Sequence, residues 1–180
     1  LTDLVVRARR DEDIPDCAEV LREVHRRDGY PTYWPDDPEA FVAGRGTLAA
    51  WVAVRDGGLA GHVTLGTADS AAVWGPCARA TGRELTGLGV VARLFVAPAA
   101  RGSGVAGALL SAAVAEAKRR GLRPVLDVTV DNRDAIEFYV RRGWTRVGEA
   151  TLALADPPGA TLAMALYVAP EPALVDVATV

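Results

Sequence analysis

Apolar positions recur along the chain with two periods, near two and near three to four residues, and their alternation predicts an α/β protein. Leu4-Val-Val-Arg-Ala-Arg9 reads as a first strand. The acidic run Asp11-Glu-Asp-Ile-Pro-Asp16 then favours a helix start, because the first turn of a helix leaves backbone N–H groups unpaired. Ile14, Ala18, Leu21 and Val24 carry that helix to the region of Arg27. Gly29 to Pro38 is a proline-broken, aromatic loop, with a short helix expected at Pro38–Ala43. Leu48–Val54 and Leu59–Leu65 predict a hairpin around Asp56-Gly57-Gly58. From Thr67 to Arg83 no period emerges. Leu88–Val96 is a third long strand, stopped by Ala97-Pro98, and a helix is expected over Ser103–Arg120 with Val105, Leu109, Leu110, Ala113 and Ala117 on one face. Pro124–Val130 predicts a strand, Arg133–Arg142 a helix, and Trp144–Ala150 and Thr161–Val168 two more strands. The pattern is one domain over residues 1–180, a mixed sheet with helices on its faces. The apolar end of the tail, Ala173–Val180, is expected to dock on its own sheet or on a second copy, which favours a homodimer.

Composition narrows the function classes. Hydrophobic residues make up 50% of the chain and charged ones 24%, which excludes an intrinsically disordered protein. A net charge of −3 supplies no basic field for nucleic acid. No apolar run reaches the ~18 residues of a membrane span, and the amino-terminal stretch lacks the basic-then-apolar order of a secretion signal. The expectation is therefore a cytoplasmic protein. Lys118 is the only lysine; the arginine, alanine and glycine richness is what a GC-rich bacterial genome produces. Cys17 and Cys77 can pair at most once and show no metal-ligand spacing, so no metal site is expected.

The strongest chemical signal is Leu94-Phe-Val-Ala-Pro-Ala-Ala-Arg-Gly-Ser-Gly-Val-Ala-Gly107. A strand ends at proline and a glycine-rich turn opens a long helix. Small residues at 102–104 let backbone N–H groups approach a ligand closely, the helix N-terminus adds a partial positive charge, and Arg101 adds a full one. Such a cradle suits a pyrophosphate, although a plain left-handed turn with a helix cap fits the same residues. Gly102-Ser-Gly-Val-Ala-Gly107 also scans as a dinucleotide fingerprint, with Asp127 at about the right distance for a ribose; the three strands before residue 97 argue against that rival. The second signal is Asp131-Asn-Arg-Asp-Ala-Ile-Glu-Phe-Tyr-Val-Arg-Arg-Gly-Trp144. Asn132 is placed to cap a helix, and Ala135, Phe138 and Tyr139 share one of its faces. Alone, Tyr139 reads as a core residue with a satisfied hydroxyl; beside an anion-binding turn it becomes a candidate acid.

Together these two segments resemble the GNAT N-acyltransferase superfamily. Arg101-Gly-Ser-Gly-Val-Ala106 is similar to its acyl-CoA signature Q/R-x-x-G-x-G/A, and Asn132-x-x-Ala135-x-x-Phe138-Tyr139-x-x-x-Gly143-Trp144 to a second block. The resemblance is specific over Val91–Trp144 and implies a mixed, mostly antiparallel sheet of about seven strands with helices on both faces. It implies acetyl-CoA as cosubstrate. The Leu94-Phe95-Val96 strand end would bind the pantetheine arm through the backbone of Leu94 and Val96. Arg101, Gly102, Ser103, Gly104, Val105, Ala106 and Gly107 would hold the pyrophosphate, Asn132 would bond near the pantetheine, and Tyr139 would protonate the departing sulfur.

The chemistry fits these residues independently of the family. Two pantetheine amides can pair with an open strand edge as another strand would, and a strand N–H such as that of Val96 can stabilise the oxyanion formed when an amine attacks a thioester. The base for the amine stays open among water, His62, His25 and Glu84. The acceptor, a small-molecule or peptide amine, stays open too. The competing class is a non-catalytic acyl-CoA-binding or regulatory module.

Overall fold

The computed structural model describes residues 3–154 and 158–171. Seven strands, β1 (Leu4–Ala8), β2 (Thr47–Arg55), β3 (Gly58–Thr67), β4 (Leu88–Val96), β5 (Arg123–Thr129), β6 (Thr145–Ala153) and β7 (Thr161–Val168), form one sheet. Their spatial order is β1-β2-β3-β4-β5-β7-β6. β4 and β5 run parallel and every other neighbouring pair is antiparallel. The mixed, mostly antiparallel sheet expected from the sequence is the one observed.

Among the described residues five α-helices cover it: α1 (Ile14–Asp28), α2 (Pro38–Ala43), α3 (Ala71–Thr81), α4 (Val105–Arg119) and α5 (Arg133–Val140). Strand alternation assigns the faces. Val52 and Phe95 pack with Cys17, Leu21 and Val24 of α1 and Val42 of α2. Val90, Val125, Leu166 and Val168 pack with Trp74 and Cys77 of α3. Their strand neighbours Ala53, Val91 and Leu126 turn the other way, onto α4 and Tyr139 of α5. Burying a Leu or Val side chain contributes ~1.5–3 kcal/mol, so the inward row of α4, Val105, Leu109, Leu110 and Ala113, anchors it firmly. Gly61 lets α4 approach the sheet: a Cβ there would lie 2.8 Å from the Phe95 carbonyl oxygen and 2.9 Å from Leu109.

α1 starts where the acidic run predicts. Asp13 accepts from the Arg10 N–H at 2.7 Å and is gripped by both terminal nitrogens of Arg7, each at 2.7 Å. That pairing holds its carboxyl down at about 2. The α-helix that the periodicity misses among the described residues is α3, which fills most of the 67–83 stretch. Gly75 and Pro76 stand in its middle and read as a turn in sequence. Burial of Trp74 and Cys77 against three strands overrides that local preference. The proposed docking of Ala173–Val180 falls outside the described residues.

Candidate active site

The sheet splits. β4 and β5 pair over only three positions, Leu88 to Val90 against Arg123 to Val125, and then diverge. Beyond Val90 the β5-facing edge of β4 has no strand partner. Its opposite edge stays on β3, with Gly61 against Val96 and His62 against Phe95. The Ala97 N–H donates to the Ala60 carbonyl at 2.9 Å. Polar groups of successive strand residues alternate in direction, so those of Val96 and Leu94 face the split. This is the edge that the sequence reading assigns to a pantetheine arm.

A bulge lies in the same stretch, where the β3–β4 register shifts between His62 and Thr64. It costs ladder hydrogen bonds, and two buried β3 side chains recover them. The Thr64 hydroxyl donates to the Ala92 carbonyl at 3.0 Å, and His62 Nδ1–H donates to the Arg93 carbonyl at 3.0 Å. The other ring nitrogen, Nε2, accepts from Arg9 at 3.0 Å. His62 is fully buried, and burial pushes its pKa down to about 3. Both nitrogens are committed and the ring stays neutral. His62 therefore shapes the bulge and has no nitrogen left to serve as a base.

Of the other base candidates, His25 lies on α1 and Glu84 ahead of β4. His25 Nδ1–H donates to the Pro31 carbonyl at 2.8 Å, and its ring stands 5.1 Å from that of Trp34, fastening the aromatic loop to α1. Glu84 is exposed ahead of β4, at the end where β4 and β5 are still paired. The thiols are also excluded as nucleophiles. Cys17 and Cys77 are buried, and burial pushes them up to about 12 and about 11, which keeps both protonated.

At the end of β4 the chain enters the glycine turn. Gly102 and Gly104 have φ of 72° and 84°, and a Cβ on either would meet no atom within 4 Å. The glycines are there for conformation, and the space over the turn is open. Gly104 is the N-cap of α4 and no side chain caps the helix, so its first N–H groups remain available to an anion. Ser103 turns its hydroxyl to the Ala100 carbonyl at 2.5 Å. Arg101 differs from its expected role as a free charge. Its guanidinium makes a two-point pair with Asp28 at the end of α1, which holds the Asp28 carboxyl below its ordinary value. The sequence reading missed Arg142. This exposed residue stacks 3.7 Å over the Phe138 ring, and Nη2 lies 3.2 Å from where a Cβ of Gly107 would stand. A second cation thus rests against the first turn of α4; the consecutive arginines before Gly143 were its only signal.

α5 packs on the α4 face of the sheet. Asn132 accepts from the Ala135 N–H at 3.1 Å, so its carbonyl oxygen is a helix cap and only its amide nitrogen is left for a ligand. Tyr139 is buried, edge-on to Phe138 and Trp144 with centroids 5.1 and 5.8 Å away. Among the described residues its hydroxyl has no hydrogen-bond partner, yet none of their buried side-chain polar atoms is unpaired. The hydroxyl therefore keeps some contact with solvent. Burial, followed by Tyr30 and Asp127, pushes its pKa above the usual phenol range.

The comparisons with known proteins bear on the family and the fold. A stretch of 52 residues is 50% identical to an uncharacterized N-acetyltransferase of Methanocaldococcus jannaschii, covering 28% of this chain and 23% of that protein; the match thus spans about a quarter of the relative's length. An N-acetyltransferase from Staphylococcus aureus has a similar structure, with a TM-score of 0.68 at 20% identity over 92% of this chain and 97% of that one. The Salmonella typhimurium protein yncA, solved with its cofactor acetyl-CoA, gives 0.66 at 19% identity over 97% and 98%. At such identities these structures carry the fold alone. The model of the acetyltransferase (GNAT) family matches residues 14–144, which include the split, the glycine turn and Tyr139, and the chain belongs to that family.

Proposed function

We propose that the protein transfers an acetyl group from acetyl-CoA to a primary amine by direct attack. One observation carries this reading: the unpartnered edge of β4 is followed, after a 3-10 turn at Pro98–Ala100 and the glycine turn, by the uncapped N-terminus of α4, while the Tyr139 hydroxyl has no partner among the described residues. The pantetheine amides pair with Leu94 and Val96. The pyrophosphate takes the first N–H groups of α4, with the turn glycines giving room and Arg142 adding charge. Arg101 joins only by sharing its guanidinium with Asp28. Hydrogen bonds to charged groups contribute ~1.5–3 kcal/mol each, enough for a few of them to anchor the coenzyme.

The amine nitrogen attacks the thioester carbonyl carbon, a C–N bond forms, and the oxyanion is stabilised by a free strand N–H such as that of Val96. The C–S bond then breaks and the sulfur leaves with its electron pair. A phenol with a raised pKa is fully protonated at neutral pH, and the burial that raises it also disfavours a bare thiolate. Tyr139 gives its proton to the sulfur, and the proton shed by the amine restores it through solvent.

The direct test is acetyl transfer to an amine panel, read by mass spectrometry of the product and by thiol release. N-acetylated product with stoichiometric CoA supports the reading. Tight CoA binding without product from any amine supports the binding-module alternative.

A further inference from the structure

The wall of the split that faces α1 and α2 holds a charge the reaction does not use. Arg93 is the bulge residue, with φ at 52°, a conformation that costs a non-glycine residue ~1 kcal/mol or more unless its surroundings hold it. They do, through the His62 bond to its carbonyl. Its Nε–H donates to the Phe41 carbonyl, and the guanidinium stands 5.1 Å from the Phe41 ring. Among the described residues neither terminal nitrogen has a hydrogen-bond acceptor, and no carboxylate comes within ion-pair distance. Arg7 and Arg101, by contrast, each grip an aspartate. A partly buried guanidinium without an anion is poorly compensated.

Across the split, Asp127 lies on β5 two residues beyond the last β4–β5 pair. Val125 packs on the α3 side, while Leu126 and Val128 pack on the α4 side. Alternation therefore turns Asp127 to the same face as Val125, the face on which Arg93 reaches α2. No residue among those described forms an ion pair with it either. Its carboxyl is raised by burial and lowered by Arg93, and the same carboxylate raises Tyr30, whose phenol burial pushes up to about 12. These groups feel one another across the space between the strands.

We propose that this is the acceptor site and that the acceptor is an amino acid or close analogue, its carboxylate held by Arg93 and its amine directed to Asp127. A carboxylate matches the two free nitrogens of a guanidinium, and Asp127 both attracts an ammonium and receives the proton it must lose. The peptide N-terminus is disfavoured, because the α-carboxyl of its first residue is tied up in an amide. The assignment rests on the acetyl-transfer reading, but its test does not.

The experiment is calorimetric titration of the whole protein saturated with CoA, using matched series built on alanine, leucine, phenylalanine and glutamate. Each contains the amino acid, its α-carboxamide, the amine lacking the carboxyl, and the acid lacking the amine. The amino acid should bind ~10–10²-fold more tightly than its carboxamide or decarboxylated amine in at least one series, and Arg93→Gln should erase that preference while CoA affinity and the circular dichroism spectrum stay unchanged. Equal binding of acids and amides in every series, no binding of any acid, or a preference that survives Arg93→Gln overturns the proposal. Should Arg93→Gln not fold, the wild-type comparison of acid with amide decides alone. No turnover is involved, so failure of acetyl transfer and failure of this site are read separately.

Discussion

Tyr139 divides its work between ring and hydroxyl. The ring packs against Phe138 and Trp144, and the hydroxyl has no protein partner among the described residues. Tyr139→Phe keeps the packing and removes only the proton donor. Turnover should fall by ~10²–10⁴-fold with acetyl-CoA affinity nearly unchanged, because the phenol acts as charge develops on sulfur. Stability should hold, since no hydrogen bond is lost. Steady-state kinetics on an acceptor for which chemistry is limiting, beside thermal unfolding, checks both halves; unchanged turnover removes Tyr139 from the mechanism. Arg93 illustrates why part of the site was not legible in sequence. Its placement depends on a bulge that exists because His62 and Thr64, some thirty positions earlier, take the carbonyls of Arg93 and Ala92. In a linear reading His62 offered only a titratable ring in a strand. Asp127 was visible only as a residue at a ribose-binding distance; its place beside the split requires knowing where β4 and β5 part.

At the scale of elements, strands were legible wherever a run of apolar residues met a breaker. β4 ends at Val96, before Pro98, and β7 spans Thr161–Val168, both as the pattern predicts. α4 was legible because its inward row repeats at helical spacing, and α3 was not, because Gly75-Pro76 breaks its local signal while its support comes from strands far along the chain. The glycine turn was legible as a turn opening a helix, but which charges flank it needed the tertiary structure: Asp28 from α1 occupies Arg101, and Arg142, just past α5, reaches Gly107. Gly104→Asp tests the turn. A carboxylate at the N-cap satisfies the first N–H groups of α4 from within the protein, and this offsets much of the strain of a side chain at φ 84°. The fold should survive and CoA affinity should fall by at least ~10²-fold, through lost hydrogen bonds and repulsion of the pyrophosphate. Wild-type affinity by calorimetry would show that the phosphates bind elsewhere.

For the whole molecule, the bulge that creates the site also makes stability depend on pH. Burial above all, with the Arg9 and Arg93 guanidiniums adding to it and the bond to the Arg93 carbonyl opposing it, lowers the His62 pKa from 6.5 to about 3 on folding. Above pH 6.5 the ring is neutral in both folded and unfolded chains and stability is at its full value. Below it the unfolded chain takes up a proton that the folded protein refuses, so stability declines until the folded pKa is reached. The slope is ~1.4 kcal/mol per pH unit, which gives a loss of about 2 kcal/mol between pH 6.5 and roughly pH 5. Asp127 works in the opposite sense, since its raised carboxyl is relieved as pH falls. Asp13 enters only lower, between 3.8 and about 2, where losing its charge releases Arg7. His62→Asn keeps a donor near the Arg93 carbonyl and removes the titration. It should lower stability at pH 7.5, because the ring's packing against Phe95 and the acceptor for Arg9 are lost. Its decline from pH 6.5 to 5 should nearly vanish. Urea unfolding of both proteins across this range measures the two slopes, and parallel declines would mean that the acid sensitivity arises from the carboxylates instead of the histidine that braces the bulge.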